Sequence, residues 1–342
     1  FHPSYHALMA QAVGAGLHGT AFSAGQQATG HAHQLRAAGF MLFTELEPSI
    51  LCPISMSYAV TPALRDNPAI YADWAPQLTS RAYDPALKLW KDKPGVTMGM
   101  GMTEKQGGSD VRANTTTATP TGQGEREFTL RGHKWFFSAP MCDAHLVVAR
   151  TPEDGLACFF VPRWRPDGSK NAIHIQRLKN KVGNKSNSSS EVEFHDAWGV
   201  LMGEAGRGIP TIIEMATYTR LNCVVGSAAM VRQGLVQGLA YARQRKAFGR
   251  LLVDQPLMRA VLTDLALENE DYAAAFEIAS KFPAAGMSTQ ITQLVQLVMM
   301  ASGKAEQAID LVERKSRLAV SGYQFCALTV SLCKLLLFLM AQ

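Results

Sequence analysis

The sequence carries little charge. Asp, Glu, Lys and Arg make up 18% of its 342 residues, against 47% apolar residues. That balance excludes an intrinsically disordered chain, and the length suits roughly two or three domains with a large core. Paired cysteines are also missing. Cys52, Cys142, Cys158, Cys223, Cys326 and Cys333 are scattered without a C-x-x-C spacing. The scatter argues against a disulfide frame or a zinc site and for free thiols in a reducing compartment. The pairs His2/His6 and His31/His33 have no third ligand pattern beside them. They read as surface histidines, and no metal is expected. No signal-peptide pattern opens the chain, and Phe1 in place of an initiator methionine points to a fragment or a processed product.

Long apolar runs are absent until the end. Residues 322–342 are apolar enough to raise the question of a membrane span, which needs ~20 such residues. Lys334 in the middle of the run and the chain end behind it argue against a span. A buried helix or an aberrant terminus is expected there, and a membrane is not an expected partner.

What is present is unevenly placed. The net charge is +5, and the excess lies between Gly206 and Arg259, where eight cations face only Glu214 and Asp254. The cations are Arg207, Arg220, Arg232, Arg243, Arg245, Lys246, Arg250 and Arg259. Such a segment suits a solvated helix face, a cofactor phosphate or a nucleic-acid backbone.

The stretch around which the chain is organised runs from 99 to 138. Residues 99–111 begin Gly-Met-Gly-Met and continue Thr-Glu-Lys-Gln-Gly-Gly-Ser-Asp-Val, and residues 132–138 read Gly-His-Lys-Trp-Phe-Phe-Ser. The first part is a strand entering a glycine-rich turn, where Gly107 and Gly108 let the backbone approach a bound group without a Cβ in the way. Thr103 and Ser109 supply short donors. The second part adds aromatic faces and the Ser138 hydroxyl. The residues by themselves leave two readings open, a β-hairpin with a polar turn and a cradle for a flat heterocycle with polar edges.

Either side of this stretch the hydrophobic period changes. Residues 1 to about 95 read as helices broken by turns, with Tyr5, Leu8, Met9 and Val13 on one apolar face and Pro48, Pro53 and Pro62 as punctuation. From 96 to 208 short β-branched or aromatic segments recur, at 115–119, 126–130, 145–149, 156–161, 173–176 and 190–194. Turns separate them, which predicts a sandwich or small barrel. Helix resumes from 209 to about 243 and again over 268–282 and 290–320. The expected class is α+β, with domains at 1–95, 96–208 and 209–342.

These motifs resemble those of the acyl-CoA dehydrogenase family. The family's usual Thr-Glu-Pro-x-x-Gly-Ser-Asp appears here in the form that is similar to the alkylation-response (AidB-like) branch, Thr-Glu-Lys-Gln-Gly-Gly-Ser-Asp. A second motif, Arg245-Lys-Ala-Phe-Gly249 with Gln255 beyond it, resembles the family's Arg-x-x-Phe-Gly. The likeness runs from Phe1 to about residue 265, and beside the family the chain looks truncated at both ends.

The resemblance implies N-terminal helices, a central β-barrel or sandwich, a C-terminal helical bundle, and bound FAD. Met100, Met102 and Thr103 would then face the flavin's polar edge, and Ser138 would sit near N5. Phe136 stands where many members have tryptophan, next to Phe137. Gly108 and Ser109 would approach the pyrophosphate or the acyl-CoA entry. Arg245, an always-charged fork suited to a diphosphate, would come with Phe248 and Gln255 from a partner subunit, which implies a homodimer or homotetramer. The resemblance further implies an acyl-CoA substrate, an electron acceptor such as an electron-transfer flavoprotein, and a cytoplasmic location, or the mitochondrial matrix in a eukaryote.

The catalytic base is missing from this picture. The family's late Glu-Gly-Thr/Ser segment does not occur, and the alternative slot, just before Arg220, holds Thr219. Glu104 belongs to the motif as a structural residue, so the catalytic residue is unknown. Two function classes follow: an FAD-dependent acyl-CoA dehydrogenase of weak activity in this form, or a flavoprotein that binds or protects DNA, here with only weak, nonspecific affinity.

Overall fold

The computed structural model describes residues 1–153 and 155–268. The helices expected over 268–282 and 290–320, the apolar tail, Cys326 and Cys333 lie outside the described residues beyond Glu268. The chain forms two compact units, one of Phe1–Gly226 and one beginning at Ser227. Among the described residues no helix is long and apolar enough to cross a membrane.

The first unit opens with five helices: α1 (Pro3–Gly14), α2 (Ala24–Gln27), α3 (Ala32–Leu46), α4 (Leu51–Leu64) and α5 (Pro68–Leu78). Pro3 occupies a first-turn position of α1, and the His2 ring accepts from the Ser4 amide at 3.2 Å, capping the helix start. Its inner face carries Tyr5, Met9, Ala12 and Val13, at three- and four-residue steps. The central helix is α4, apolar all round and buried at 12 of its 14 positions, as a helix in the middle of a core must be. Two expectations change here. Pro53 and Pro62 do not punctuate the chain but lie inside α4. Pro53 falls in the first turn, where its missing N–H is not needed, and Pro62 in the last, just before the helix ends. Helix also stops at Leu78 rather than near 95, and 79–97 is irregular except for a 3₁₀ turn at Trp90–Asp92.

The β-region is a small barrel. Its strands are β1 (Met98–Gly101), β2 (Thr117–Pro120), β3 (Glu127–Phe137), β4 (Ala144–Thr151), β5 (Gly155–Pro162), β6 (Ile173–Leu178) and β7 (Ser190–Met202). β3 pairs with β7, β7 with β5, β5 with β4, and β2 joins β4 back to β3, which closes the ring. β1 lies parallel to β4 and meets β3 at Gly101 opposite Phe137, while β6 extends the sheet beyond β7. Closure removes the free edges of the ring strands and leaves β6 as an edge.

Leu130, Phe137, Val147, Phe159 and Phe194 fill the interior. The other face of β4 and β5 (Leu146, Val148, Cys158, Phe160) packs on α4 and α5. Both strands are thus buried on both sides, which is why they read as unbroken apolar runs without alternation.

The 35-residue helix α6 (Gly208–Ala242) leaves the barrel through Gly208, where a Cβ would stand 2.3 Å from the Ala157 carbonyl carbon. Only glycine permits that approach. The second unit contains the far end of α6, a two-residue hairpin of β8 (Lys246–Ala247) and β9 (Arg250–Leu251), and α7 (Pro256–Glu268).

Candidate functional site

The polar turn is anchored from below by Glu104. Its carboxylate is fully buried and lies 2.7 Å from Lys134 Nζ, itself fully buried on β3. The same carboxylate accepts from the Thr115 amide at 2.6 Å, the Thr115 hydroxyl at 2.9 Å and the Thr116 amide at 3.1 Å. Burial alone would raise its pKa, but Lys134 and these donors outweigh burial and hold the carboxyl well below the usual range. Lys134, with fewer partners, is pulled below the ordinary lysine value by burial. Glu104 is therefore a structural pin, as its motif suggests. The loop above it is cross-braced: Asn114 Nδ2 donates to the Met102 carbonyl at 2.8 Å, and Gln106 Nε2 to Asn114 Oδ1 at 2.7 Å.

With Glu104 pointing in, Thr103 is left on the outer side. Its carbonyl accepts from the Trp135 amide at 2.9 Å, tying the turn to β3. Gly107 has φ +101°, a conformation that favours glycine, and a Cβ on Gly108 would come 3.3 Å from Thr103 Oγ1. Ser109 is exposed beyond them.

On β3 the pairing with β7 shifts register between Lys134 and Phe137. Strict alternation would send successive side chains to opposite faces, but the irregularity leaves both Trp135 and Phe136 outside, with Phe136 43% exposed. Lys179 Nζ lies 3.4 Å from the Trp135 ring centre and 4.7 Å from that of Phe136. Phe137 is the exception among the expected site residues. Its side chain is wholly buried in the barrel, against Gly101 and His145. Only its backbone is left for the outer face. Met100 and Met102 are half-buried and pack against the helical core.

Ser138, just past the strand, lies beside the Cys52 thiol at the start of α4, and Asn187 and Lys181 act on the same thiol. Burial pushes that thiol up to about 11, against the opposing pull of Ser138, Lys181 and Asn187, so Cys52 is a neutral neighbour and not a thiolate. Cys52, Lys181 and Asn187 were not among the expected site residues. Nothing in the spacing links residues so far apart in the chain.

The second motif lies in the second unit. Phe248 and Gly249, both at positive φ (52° and 76°), form the hairpin turn between β8 and β9. A two-residue turn of this hand suits the strand twist and leaves Phe248 98% exposed. Gln255 Nε2 donates to the Ala247 carbonyl at 3.0 Å, bracing the hairpin, and Arg245 is exposed at its base.

No carboxylate is presented where a base was sought. Thr219 is half-buried on α6 and donates to the Ala216 carbonyl at 2.8 Å. Glu214 is exposed and lines an open groove with Asp66, Glu204 and Arg207. The histidines differ from expectation as well. His33 Nδ1 is 2.7 Å from Tyr58 Oη and His6 Nδ1 is 2.9 Å from Tyr83 Oη, so both are half-buried partners of tyrosines and not free surface groups. No cluster of three or more His, Cys, Asp or Glu among the described residues is placed to hold a metal ion.

Comparison with known proteins bears on this arrangement. Residues 1–85 match the adaptive response protein AidB N-terminal domain, 99–197 the acyl-CoA dehydrogenase middle domain, and 206–314 the acyl-CoA dehydrogenase C-terminal domain. The chain is 48% identical over 275 residues to the putative acyl-CoA dehydrogenase AidB of Escherichia coli, covering 80% of this chain and 50% of that protein. It is 29% identical over 250 residues to acyl-CoA dehydrogenase family member 11 of Caenorhabditis elegans, covering 69% of this chain and 39% of that one. The chain thus spans half or less of the length of these two relatives. In structure it is similar to Caenorhabditis elegans ACDH-11 in complex with C11-CoA, with TM-score 0.69, 23% identity, and coverage of 96% of this chain and 57% of that one.

Proposed function

The chain belongs to the acyl-CoA dehydrogenase family, in its AidB-like branch, and from that premise we propose that it binds FAD and acts as an α,β-dehydrogenase-type oxidoreductase on an acyl-CoA thioester. The observation that carries the reading is the irregularity between Lys134 and Phe137, which leaves Phe136 exposed next to Trp135, where the Thr103 turn is tied to β3. An exposed ring, a hydroxyl at each end (Thr103 and Ser138) and a turn open at Gly107 and Gly108 fit a flat heterocycle with polar edges. Ser109 and, from a partner copy, Arg245 and Phe248 would hold the dinucleotide portion.

When bound, FAD supplies a two-electron acceptor for the β-hydrogen of the thioester. The protein's own part is to stack Phe136 against the ring, to offer the Ser138 hydroxyl and to exclude water with the wall of α4. Removal of the α-proton needs a positioned base, and neither Thr219 nor the paired Glu104 can serve. With no such base among the described residues, this reading carries weak turnover. Within the same reading the chain has domains at 1–95, 96–208 and 209–342, works as a homodimer or homotetramer, and passes electrons to an acceptor such as an electron-transfer flavoprotein. The relative described as a complex with C11-CoA supports an acyl-CoA ligand. A second reading, DNA binding or protection, has in its favour the cation excess of 206–259.

Incubating the purified chain with FAD, removing free FAD and recording the visible spectrum tests the first reading. Retained flavin absorption is expected. A colourless protein after reconstitution would overturn it.

A further inference from the structure

Arg36, on α3, is a buried cation with no anion beside it. It is 6% exposed, and among the described residues it makes no ion pair. Its Nε donates to the Leu17 carbonyl at 2.8 Å and its Nη1 to Asn222 Oδ1. The guanidinium lies over two rings, 3.9 Å from the centre of Tyr58 and 4.5 Å from that of Phe40. Its Nη2 has no partner. Asn222, 2% exposed on α6, has the same defect, because its Nδ2 is also buried without an acceptor. The amide cannot be turned to correct this, since Arg36 has only donors and must face Oδ1. Two hydrogen-bonded residues therefore each leave one buried donor open.

The surroundings add no negative charge. Burial pushes His18 down to about 4, with Arg36 and Arg81 adding to the effect, so His18 is neutral at pH 7. Burial lowers His33 and raises Tyr58, and these two are bonded to each other. Arg36 itself falls only to about 10 through burial and stays charged. A water molecule could fill the open hydrogen bonds, but it would leave the charge uncompensated, and a buried, unpaired charge is strongly destabilising. Cation–π contact with two rings offsets only part of that. A carboxylate answers both needs: its two oxygens accept from Nη2 and Nδ2, and its single charge balances the guanidinium. A doubly charged phosphate would leave one negative charge over.

We propose that Arg36 and Asn222 form a buried recognition site for the carboxylate of a small ligand. The carboxylate can belong to a free acid or to the far end of an acyl thioester. The second source rests on the acyl-CoA reading above and draws on position: Asn222 follows Thr219 by one turn of α6, and the adjoining Cys223 is near Cys52, itself beside Ser138. The first source is independent of that reading and of flavin.

The test is calorimetric titration of the full chain with two matched pairs, butyrate against its neutral amide butyramide, and glutaryl-CoA against butyryl-CoA. The acid-bearing member of at least one pair is expected to bind ~10-fold or more tighter, as hydrogen bonds to a charged group imply. The preference should vanish in Arg36→Met. It should also vanish in Asn222→Asp, which supplies Arg36 with an internal carboxylate and guards against a misfolded first variant. Preference in the free-acid pair identifies a free acid as the source, and preference in the thioester pair alone identifies the acyl terminus. Equal binding within both pairs, or a preference that survives Asn222→Asp, overturns the proposal. Flavin retention, measured separately, fails or holds without bearing on the free-acid pair.

Discussion

Lys134 Nζ sits 2.7 Å from Glu104 Oε1, and neither side chain is exposed to solvent. The pair joins the glycine-rich turn to the strand that carries the aromatic residues, so both halves of the candidate site hang on it. Removing one member of a buried pair strands the other. Glu104→Gln is expected to lower stability by ~3–5 kcal/mol and to weaken flavin retention, while the double change with Lys134→Met should lose less than Glu104→Gln alone. Denaturant unfolding of the three proteins checks this, and a double variant worse than both single ones would contradict it.

Ser109 of one copy and Arg245 of a partner copy are expected to act on the same ligand. Replacing both with alanine should abolish FAD retention while leaving the unfolding midpoint nearly unchanged, because both side chains are exposed. Full retention would show that the dinucleotide lies elsewhere.

Thr219 in the alternative base slot gives a gain-of-function prediction. A positioned general base typically contributes ~10²–10⁴-fold. Thr219→Glu should therefore speed flavin bleaching by butyryl- or isovaleryl-CoA from a slow baseline. Rapid bleaching by the unaltered chain would mean that another carboxylate, such as Glu104 or Glu214, serves as the base.

Two buried histidines set the acid response. Burial, with nearby arginines adding to it, pushes His18 down to about 4 and His145 down to about 3, from an ordinary 6.5. Below 6.5 the unfolded chain takes up protons that the folded chain refuses, so stability is lost as pH falls from 6.5 through those values. The slope is up to ~1.4 kcal/mol per pH unit for each group. Urea midpoints measured from pH 7 to pH 5 should fall, and by a smaller amount in His145→Met. Midpoints that stay flat down to the carboxylate range would refute the assignment.

Any affinity for DNA should be weak and fall steeply with salt, since eight cations between 206 and 259 offer only phosphate contacts. Nanomolar binding insensitive to salt would favour the DNA-protection reading instead.

The motifs and the change of period were legible in the sequence because they are local. Short polar turns, glycines and β-branched segments carry their structural meaning within a few residues. Helices, then strands, then helix could be read in order. Three things needed the tertiary structure. Sandwich and barrel predict the same strands, and only the pairing of β3 with β7 and of β2 with β4 closes the ring. The inward turn of Phe137 beside an exposed Phe136 depends on a register shift against β7, more than fifty residues away, which alternation along β3 does not reveal. The meeting of Cys52 with Ser138, and of Arg36 with Asn222, is likewise invisible in the chain order. Local preference decides what each segment becomes. Burial and long-range pairing decide which side chains meet, and the candidate sites are made of those meetings.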